Sequence, residues 1–166
     1  QKWTIVNGLV TGSENQLVDA SRSMLENEEK AVPLAGSAAL VQSSRGEQRH
    51  KGRVFCTLPL SSVSSRMPFH INGFFDLQSD RQGLYSDENA IGIGARRYDW
   101  NKKLIRYGCG EVSARLVSSI ANMSETKTGM LYKFWPTIRE VDTDLLDTLP
   151  FSFYQNISRF PCIPCG

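Results

Sequence analysis

The chain has 166 residues, 40% of them hydrophobic and 22% charged, which is enough for one domain with a sizeable core. Its net charge of +2 at pH 7 is too small to favour nucleic acid or an acidic membrane surface as a partner. No apolar run is long enough to span a bilayer, and we expect no secretory or transit segment in the first residues. Because the first residue is Gln1, we expect a chain cut from a longer protein or processed after secretion.

The cysteine content is compatible with two different classes of protein. Four cysteines occur, at Cys56, Cys109, Cys162 and Cys165. The first two lie inside predicted secondary structure, so we expect them to be small core residues. The terminal Cys-x-x-Cys lacks a second ligand pair, and we predict no metal site. The even cysteine count and two Asn-x-Ser sequons, at Asn122 and Asn156, suit the alternative of a secreted, disulfide-bonded, glycosylated binding domain.

The first part of the chain predicts two strands around one helix. Residues 3–10 are rich in β-branched and aromatic side chains, which predicts a strand. Residues 13–16 have the spacing of a capping box, and apolar side chains then recur at helical spacing, which predicts a helix over about residues 14–28. Pro33 ends this region, and the apolar residues 34–42 predict a buried strand.

The middle of the chain predicts two more strands. Residues 43–52 are polar and predict an exposed loop. Residues 53–60 predict a strand in which Pro59 marks the end or an edge position, because proline cannot donate to a ladder. A serine-rich connection follows. Residues 68–77 predict the next strand, and Gly73 inside it indicates a bulge or a close backbone approach.

A long loop and a long helix follow in the predicted order. Residues 78–99 predict an irregular polar loop. Residues 99–123 carry apolar side chains at helical spacing, which predicts a helix with Asp99 as its N-cap. Gly108 and Gly110 either weaken this helix or let another backbone approach closely.

The predicted fold class is α+β, a mostly antiparallel sheet of about four strands with helices packed on one face. Near the end of the chain, Pro150 either interrupts a short helix or lies in its first turn. We expect one domain over residues 1–160 and a tail over residues 161–166.

Two consecutive stretches resemble the signature of the sacsin repeat family. They read Gly-Arg-Val-Phe-Cys-Thr-Leu-Pro-Leu at residues 52–60 and Met-Pro-Phe-His-Ile-Asn-Gly-Phe-Phe-Asp-Leu at residues 67–77. The Trp-Asn that opens the predicted long helix and the Tyr-x-x-Trp-Pro at residues 132–136 resemble later positions of the same family. The resemblance spans roughly residues 3–160, and its signature residues are His70, Asn72, Gly73, Trp100 and Asn101.

This resemblance implies a non-catalytic segment of a giant cytoplasmic chaperone-like protein, located after a module similar to the GHKL ATPases of the heat-shock proteins. The segment would couple that module to client or interdomain contacts. The motifs that bind ATP in such modules do not occur here, so the resemblance implies no cofactor in this segment and ATP with Mg²⁺ in the adjacent module. The implied partners are neighbouring repeat domains, client proteins and co-chaperones, with neither nucleic acid nor membrane among them.

One arginine has the context of a nucleotide contact. In the related heat-shock ATPases, a loop between a strand and a helix of the following domain supplies an arginine to the nucleotide, and Arg81 lies in the matching context. The resemblance therefore implies that Arg81 contacts the nucleotide of the adjacent module. The family has Asn and Arg where this chain has Asp80 and Gln82. A surface ion pair of Arg81 with Asp76 or Asp80 is the alternative.

The histidine of the signature has a structural and a catalytic interpretation. His70, Asn72 and Phe74 alternate along a predicted strand and therefore share one face. A histidine bonded to the backbone that helps to shape the sheet is the favoured interpretation. A small hydrolase using His70 with Cys56 or a serine is a third hypothesis, ranked after the chaperone segment and the secreted domain. Most aromatic side chains should be core, and any exposed cluster would form a patch for a client protein or a neighbouring domain.

Overall fold

The computed structural model describes residues 1–10, 16–42, 51–65, 67–123, 131–138 and 145–161. Five strands occur in this part of the chain: β1 (Lys2–Leu9), β2 (Leu34–Gln42), β3 (Arg53–Cys56), β4 (Leu58–Ser64) and β5 (His70–Gly73). They form one sheet in the order β1-β2-β5-β3-β4, antiparallel throughout except for the parallel pair of β3 and β5. The α+β class and the mostly antiparallel sheet are confirmed, with five strands where about four were predicted.

The additional strand arises because the predicted strand over residues 53–60 reverses in its middle. Thr57 has a φ of 67° and separates β3 from β4, which pair with each other as a tight antiparallel hairpin. A β-branched residue rarely adopts a positive φ, so a run of strand-forming residues gives no sign of this reversal. The serine-rich stretch after it is therefore strand up to Ser64 and not a connection. Pro59 lies in the edge strand β4, as predicted.

The described helices are a short helix, a long helical stretch made of three consecutive parts, and another short helix near the C-terminus. They are α1 (Gln16–Glu26), α2 (Ile93–Lys103), a π-helical turn (Leu104–Cys109), α3 (Gly110–Ala121) and α4 (Thr148–Ile157), with 3₁₀ turns at Tyr132–Phe134 and Leu145–Asp147. From α2 to α3 the chain is continuously helical. Within the described ranges, no helix is long and apolar enough to cross a membrane.

The long helix begins six residues earlier than the sequence predicted. It starts at Ile93, so the predicted loop over residues 78–99 ends before it. Asp99 is not the N-cap but an interior residue whose carboxylate pairs with Lys103 at 2.7 Å. Gly92, with a φ of 61°, precedes the first turn, and no side chain caps it. Without a capping side chain, the usual sequence signal for a helix start is missing.

All the helices that contact the sheet lie on one of its faces, as predicted. The alternation along β1 shows the two faces, because Thr4 is buried while Trp3 and Ile5 are 38% and 62% exposed. The core between sheet and helices contains the largest fully buried side chains, among them Trp100, Phe69 and Phe153. The opposite face of the sheet carries Trp3, Ile5, His70 and their neighbours. No described helix packs on it, and we call it the open face.

The π-helical turn marks the place where α4 packs closely against the long helix. The Ser152 hydroxyl on α4 donates to the carbonyl of Arg106 inside the turn. A Cβ at Gly110 would lie 2.7 Å from the Cβ of Ser152 and 3.1 Å from its backbone carbon. Gly110 therefore permits a close approach, the second of the two predicted roles. Pro150 lies in the first turn of α4, where its missing N–H costs nothing.

Candidate functional site

The signature residues of the long helix hold the segment that follows β5. The Trp100 indole Nε1 donates to the Phe74 carbonyl at 2.8 Å. The Asn101 carboxamide accepts from the Asp76 N–H at 2.8 Å and donates to the carbonyls of Asp76 at 2.8 Å and Tyr85 at 3.0 Å. Both side chains are buried, and Asn101 has no exposed surface. A single amide thus joins the two ends of the chain segment between Asp76 and Tyr85.

Gly73 makes room for this arrangement at the end of β5. A Cβ there would lie 2.9 Å from the ring of Phe75 and 3.1 Å from the Leu104 side chain. The sequence predicted a bulge or a close backbone approach at Gly73, but the close neighbours are side chains, and these pack the long helix against the sheet.

Arg97 adds a second brace, which the sequence analysis did not find. Its guanidinium donates to the Asp76 carboxylate at 2.6 and 2.8 Å and to the Leu77 carbonyl at 2.6 Å. It also lies 4.3 Å from the centre of the Tyr85 ring. The hydrogen bond to Asp76 raises the pKa of Arg97. Arg97 and Asn101 are four residues apart and so share one helix face, a signal that appears only once the helix is known to begin at Ile93.

These braces carry a short loop with Arg81 near its tip, which we call the Arg81 loop (residues 77–84). Leu77 and Leu84 pair across its base, and the N–H of Gln78 bonds to the carbonyl of Gly83 at 3.0 Å. Arg81 has a φ of 56°, and its N–H bonds to the Gln78 carbonyl at 2.9 Å. Its side chain is exposed. The structure thus presents Arg81 on a loop that is held at both ends.

The carboxylates expected as alternative partners of Arg81 are bonded elsewhere. Asp76 pairs with Arg97, and the Oδ1 of Asp80 accepts from the N–H of Gln82 at 2.9 Å. Within the described residues, Arg81 has neither an ion pair nor a side-chain hydrogen bond. The nucleotide contact implied for Arg81 stays a prediction.

His70 and Asn72 lie on the open face of the sheet, away from the braces. The Nδ1 of His70 accepts from the Arg53 N–H at 2.9 Å. Its ring stacks on Trp3 at 5.3 Å between centroids and meets Phe55 edge-on at 5.4 Å. These contacts fit a histidine that shapes the sheet. The structure thus separates the signature into two groups, with Trp100 and Asn101 at the loop and His70 and Asn72 on the open face.

The described cysteines show no activated thiol. Cys56 and Cys109 are free, and the Cys56 Sγ donates to the Phe75 carbonyl at 3.4 Å. Burial raises the pKa of Cys56, and it raises the pKa of the fully buried Cys109 to about 12. A nucleophilic cysteine needs a lowered pKa, so Cys56 is poorly suited to partner His70 in a hydrolase. Cys162 and Cys165 lie outside the described residues.

We expect Cys109 to resist a thiol reagent such as DTNB in the native protein at pH 8. With a pKa of about 12, only about one in ten thousand Cys109 thiols is ionised at that pH. In denaturant without reductant, all four cysteines should react at once, and Cys109→Ser should lower only the denatured count by one. Fewer than four reactive thiols in denaturant would instead favour the disulfide-bonded alternative, which has no support so far.

In the part of the chain that the structure describes, no group of three or more His, Cys, Asp or Glu side chains could hold a metal ion. No protein-family model matches the chain, and no solved structure matches it.

The fold and site define an α+β segment in which a long helix braces an arginine-bearing loop beside a sheet with one open face. Human Sacsin is 33% identical to this chain over 103 residues, which is 62% of the chain and 2% of Sacsin. The resemblance to the sacsin family is thereby confirmed, and the similarity supports a sacsin-related segment. Because the match spans so little of Sacsin, the activity and partners of the whole protein are matters of proposal.

Proposed function

We propose that this chain is a non-catalytic segment of a giant chaperone-like protein, and that it couples an adjacent ATP-binding module to client or interdomain contacts. The observation that carries this proposal is the exposed Arg81, which has no ion pair among the described residues and lies on a loop whose two ends are held by Asn101 and Arg97. The similarity to Sacsin supports the class of parent protein.

A braced, exposed arginine suits phosphoryl transfer for a physical reason. The terminal phosphate gains negative charge that must be met by positive charge already in position. Arg81 does not have to leave a carboxylate partner to reach a phosphate, because Asp76 is bonded to Arg97 and Asp80 to Gln82. The held loop ends lower the conformational entropy that Arg81 would lose on contact. The position of the Arg81 loop and the nucleotide state of the adjacent module would then be linked through α2, because Arg97 and Asn101 both lie on this helix.

The test is Arg81→Ala in the intact repeat that includes the ATP-binding module. We expect ATP turnover to fall at least about tenfold, since arginines that contact the transferred phosphate contribute about 10³–10⁵ in the best cases. Arg22→Ala is the matched control, because Arg22 is an exposed arginine on α1 whose guanidinium forms a surface ion pair with Asp19. Turnover that is the same in Arg81→Ala and Arg22→Ala would contradict the proposal.

The proposed function also includes the cofactors, the cellular location and the partners of the segment. We place ATP and Mg²⁺ in the adjacent module and no cofactor in this segment, and we propose the cytoplasm as its location. The partners would be neighbouring repeat domains, client proteins or co-chaperones, without nucleic acid or membrane. The small net charge of +2 supports the exclusion of nucleic acid.

A further inference from the structure

We propose that two copies of this chain associate through the exposed edge of β1, so that their two sheets join into one. The two β1 strands would run antiparallel to each other about a two-fold axis at Asn7. The surface consists of residues 5–9, which we call the β1 edge. This inference goes beyond the proposed function and depends on no part of the Arg81 contact.

The main-chain groups of the β1 edge point away from the rest of the sheet. The Val10 N–H donates to the Pro33 carbonyl at 2.8 Å, and the pairing of residues 5–9 with β2 is regular. In an antiparallel pair, the main-chain groups of successive residues face alternate sides. Those of Ile5, Asn7 and Leu9 therefore face outwards, and among the described residues they have no hydrogen-bond partner. A further β-strand offers donors and acceptors at the matching spacing.

The two edges of the sheet differ in their protection against such pairing. β4, the opposite edge, contains Pro59, which has no N–H, and its pairing with β3 shifts register between Arg53 and Phe55. Prolines, charges and bulges keep natural edge strands from pairing with other chains. Residues 5–9 read Ile-Val-Asn-Gly-Leu, with neither proline nor charge, and their register with β2 does not shift. The β1 edge is therefore the one that suits pairing.

A second copy is the partner because the β1 edge complements itself in one register. When Asn7 of one strand lies opposite Asn7 of the other, Ile5 of each copy lies opposite Leu9 in the other copy. These two side chains are 62% and 61% exposed and share one face of the sheet, so they would cover each other. The same register places Val6 of each copy opposite Gly8 in the other, on the side of the helices.

A small cleft beside Gly8 has room for that valine. The described part of its lining consists of Val6, Asn7, Gly8, Leu9 and Val10 on β1 and Gly108, Glu111, Val112 and Arg115 on the long helix, and its volume is about 100 Å³. One water molecule takes up roughly 30 Å³ in the liquid, so the cleft can hold a small aliphatic side chain. Glycine leaves this space open, because a Cβ at Gly8 would lie 3.9 Å from its nearest neighbour, Val112. Glu111 and Arg115 are bonded to each other at 2.6 Å, so their charges are paired.

The short contact limits the strength of the association. Five residues from each copy are few beside the roughly 20–30 residues a side of a standard interface. They would form about six main-chain hydrogen bonds, two for each of three pairs. We therefore expect a weak dimer, with a dissociation constant on the order of 10⁻⁵–10⁻⁴ M.

The first test is sedimentation equilibrium of the 166-residue chain between about 5 µM and 1 mM, without nucleotide. We expect the dimer to increase with concentration. Asn7→Pro removes an outward N–H that β2 does not use, and Leu9→Lys replaces an apolar contact with a charge. Each should weaken the association at least about tenfold while circular dichroism shows the chain still folded.

Leu58→Lys is the matched control for Leu9→Lys. Leu58 is also an exposed leucine on an edge strand, but it lies at the start of β4, on the far side of the sheet. We expect this variant to associate like the unaltered chain. A monomer at 1 mM, or an equal loss in the two lysine variants, would overturn the proposal.

Cysteine cross-linking tests the register. Asn7→Cys would bring two thiols together at the axis, where Cα atoms about 5.5 Å apart are within reach of a disulfide. Ile5→Cys would put the two thiols four residues apart, roughly 14 Å along the strands. With oxidised glutathione as the oxidant, we expect a cross-linked dimer from Asn7→Cys alone, and peptide mass spectrometry distinguishes its disulfide from the four natural cysteines. Cross-linking of neither variant, or cross-linking of Ile5→Cys to the same or a greater extent, would contradict the register that we propose.

Discussion

Replacing Asn101 with alanine is expected to lower the free energy of unfolding by about 3–5 kcal/mol. The side chain is fully buried and makes three hydrogen bonds to backbone groups of Asp76 and Tyr85. Its loss leaves the Asp76 N–H and the Tyr85 carbonyl without partners, whereas the Asp76 carbonyl still accepts from the Tyr85 N–H. Each unpaired buried group costs about 1–3 kcal/mol. Urea denaturation measures the change, and hydrogen exchange at the Asp76 amide should become faster, because that N–H is bonded to Asn101.

Asn72→Ala is the matched control for this experiment. It makes the same chemical change in a half-buried side chain whose Oδ1 has no hydrogen-bond partner, so we expect a loss below about 1 kcal/mol. If Asn101→Ala cost no more than Asn72→Ala, the Asn101 brace would not stabilise the fold. In the intact repeat, Asn101→Ala should also lower ATP turnover, because the loop that carries Arg81 then loses one of its two braces and is held by Arg97 alone.

Gly110→Ala is expected to destabilise the fold by about 2–4 kcal/mol, against the trend for glycine in helices. In an unconstrained helix, alanine is better than glycine by about 1 kcal/mol. Here the added carbon would lie 2.7 Å from the Cβ of Ser152 and 3.1 Å from its backbone carbon. α3 and α4 would have to separate, and the hydrogen bond from Ser152 to Arg106 would weaken. Thermal and urea unfolding of the variant measure the loss.

Two further variants show whether close packing is the cause. Gly8→Ala puts the same carbon on β1, where its nearest neighbour is Val112 at 3.9 Å, and should be nearly neutral. The double variant Gly110→Ala with Ser152→Gly should recover at least about 1 kcal/mol relative to the sum of the single losses, since it removes the closest contact. An additive double variant would show that Gly110 matters for another reason.

The strands that follow local rules could be predicted from the sequence. β2 was predicted over its observed range, because an apolar run bounded by a proline indicates a buried strand. Pro59 was placed at an edge because proline lacks the N–H that a central strand needs. The hairpin at Thr57 could not be predicted, since it depends on a positive φ in a β-branched residue. There, tertiary pairing of β3 with β4 and β5 outweighs the local preference.

The candidate site could be predicted only in part, because some of its residues are positioned by long-range contacts. Trp100 and Asn101 were found through the resemblance to a known family, and the structure gives their physical role as the brace of the Arg81 loop. Arg97 was missed because it lay in a stretch taken as loop. The start of α2 has no capping side chain, and the contacts that favour it are long-range ones, with Asp76 and Tyr85. Such contacts have no local signature.

The order of the strands has a consequence for synthesis and folding. β5 is the last of the described strands to be synthesised, yet it lies at the centre of the sheet and joins the β1–β2 pair to the β3–β4 pair. Until the chain has passed Gly73, it can form only two separate two-stranded ribbons, which are marginally stable in water. The sheet therefore cannot close before β5 is synthesised. A chain that stops short of residue 70 leaves the edges of β2 and β3 without a partner strand, and another chain could pair with them.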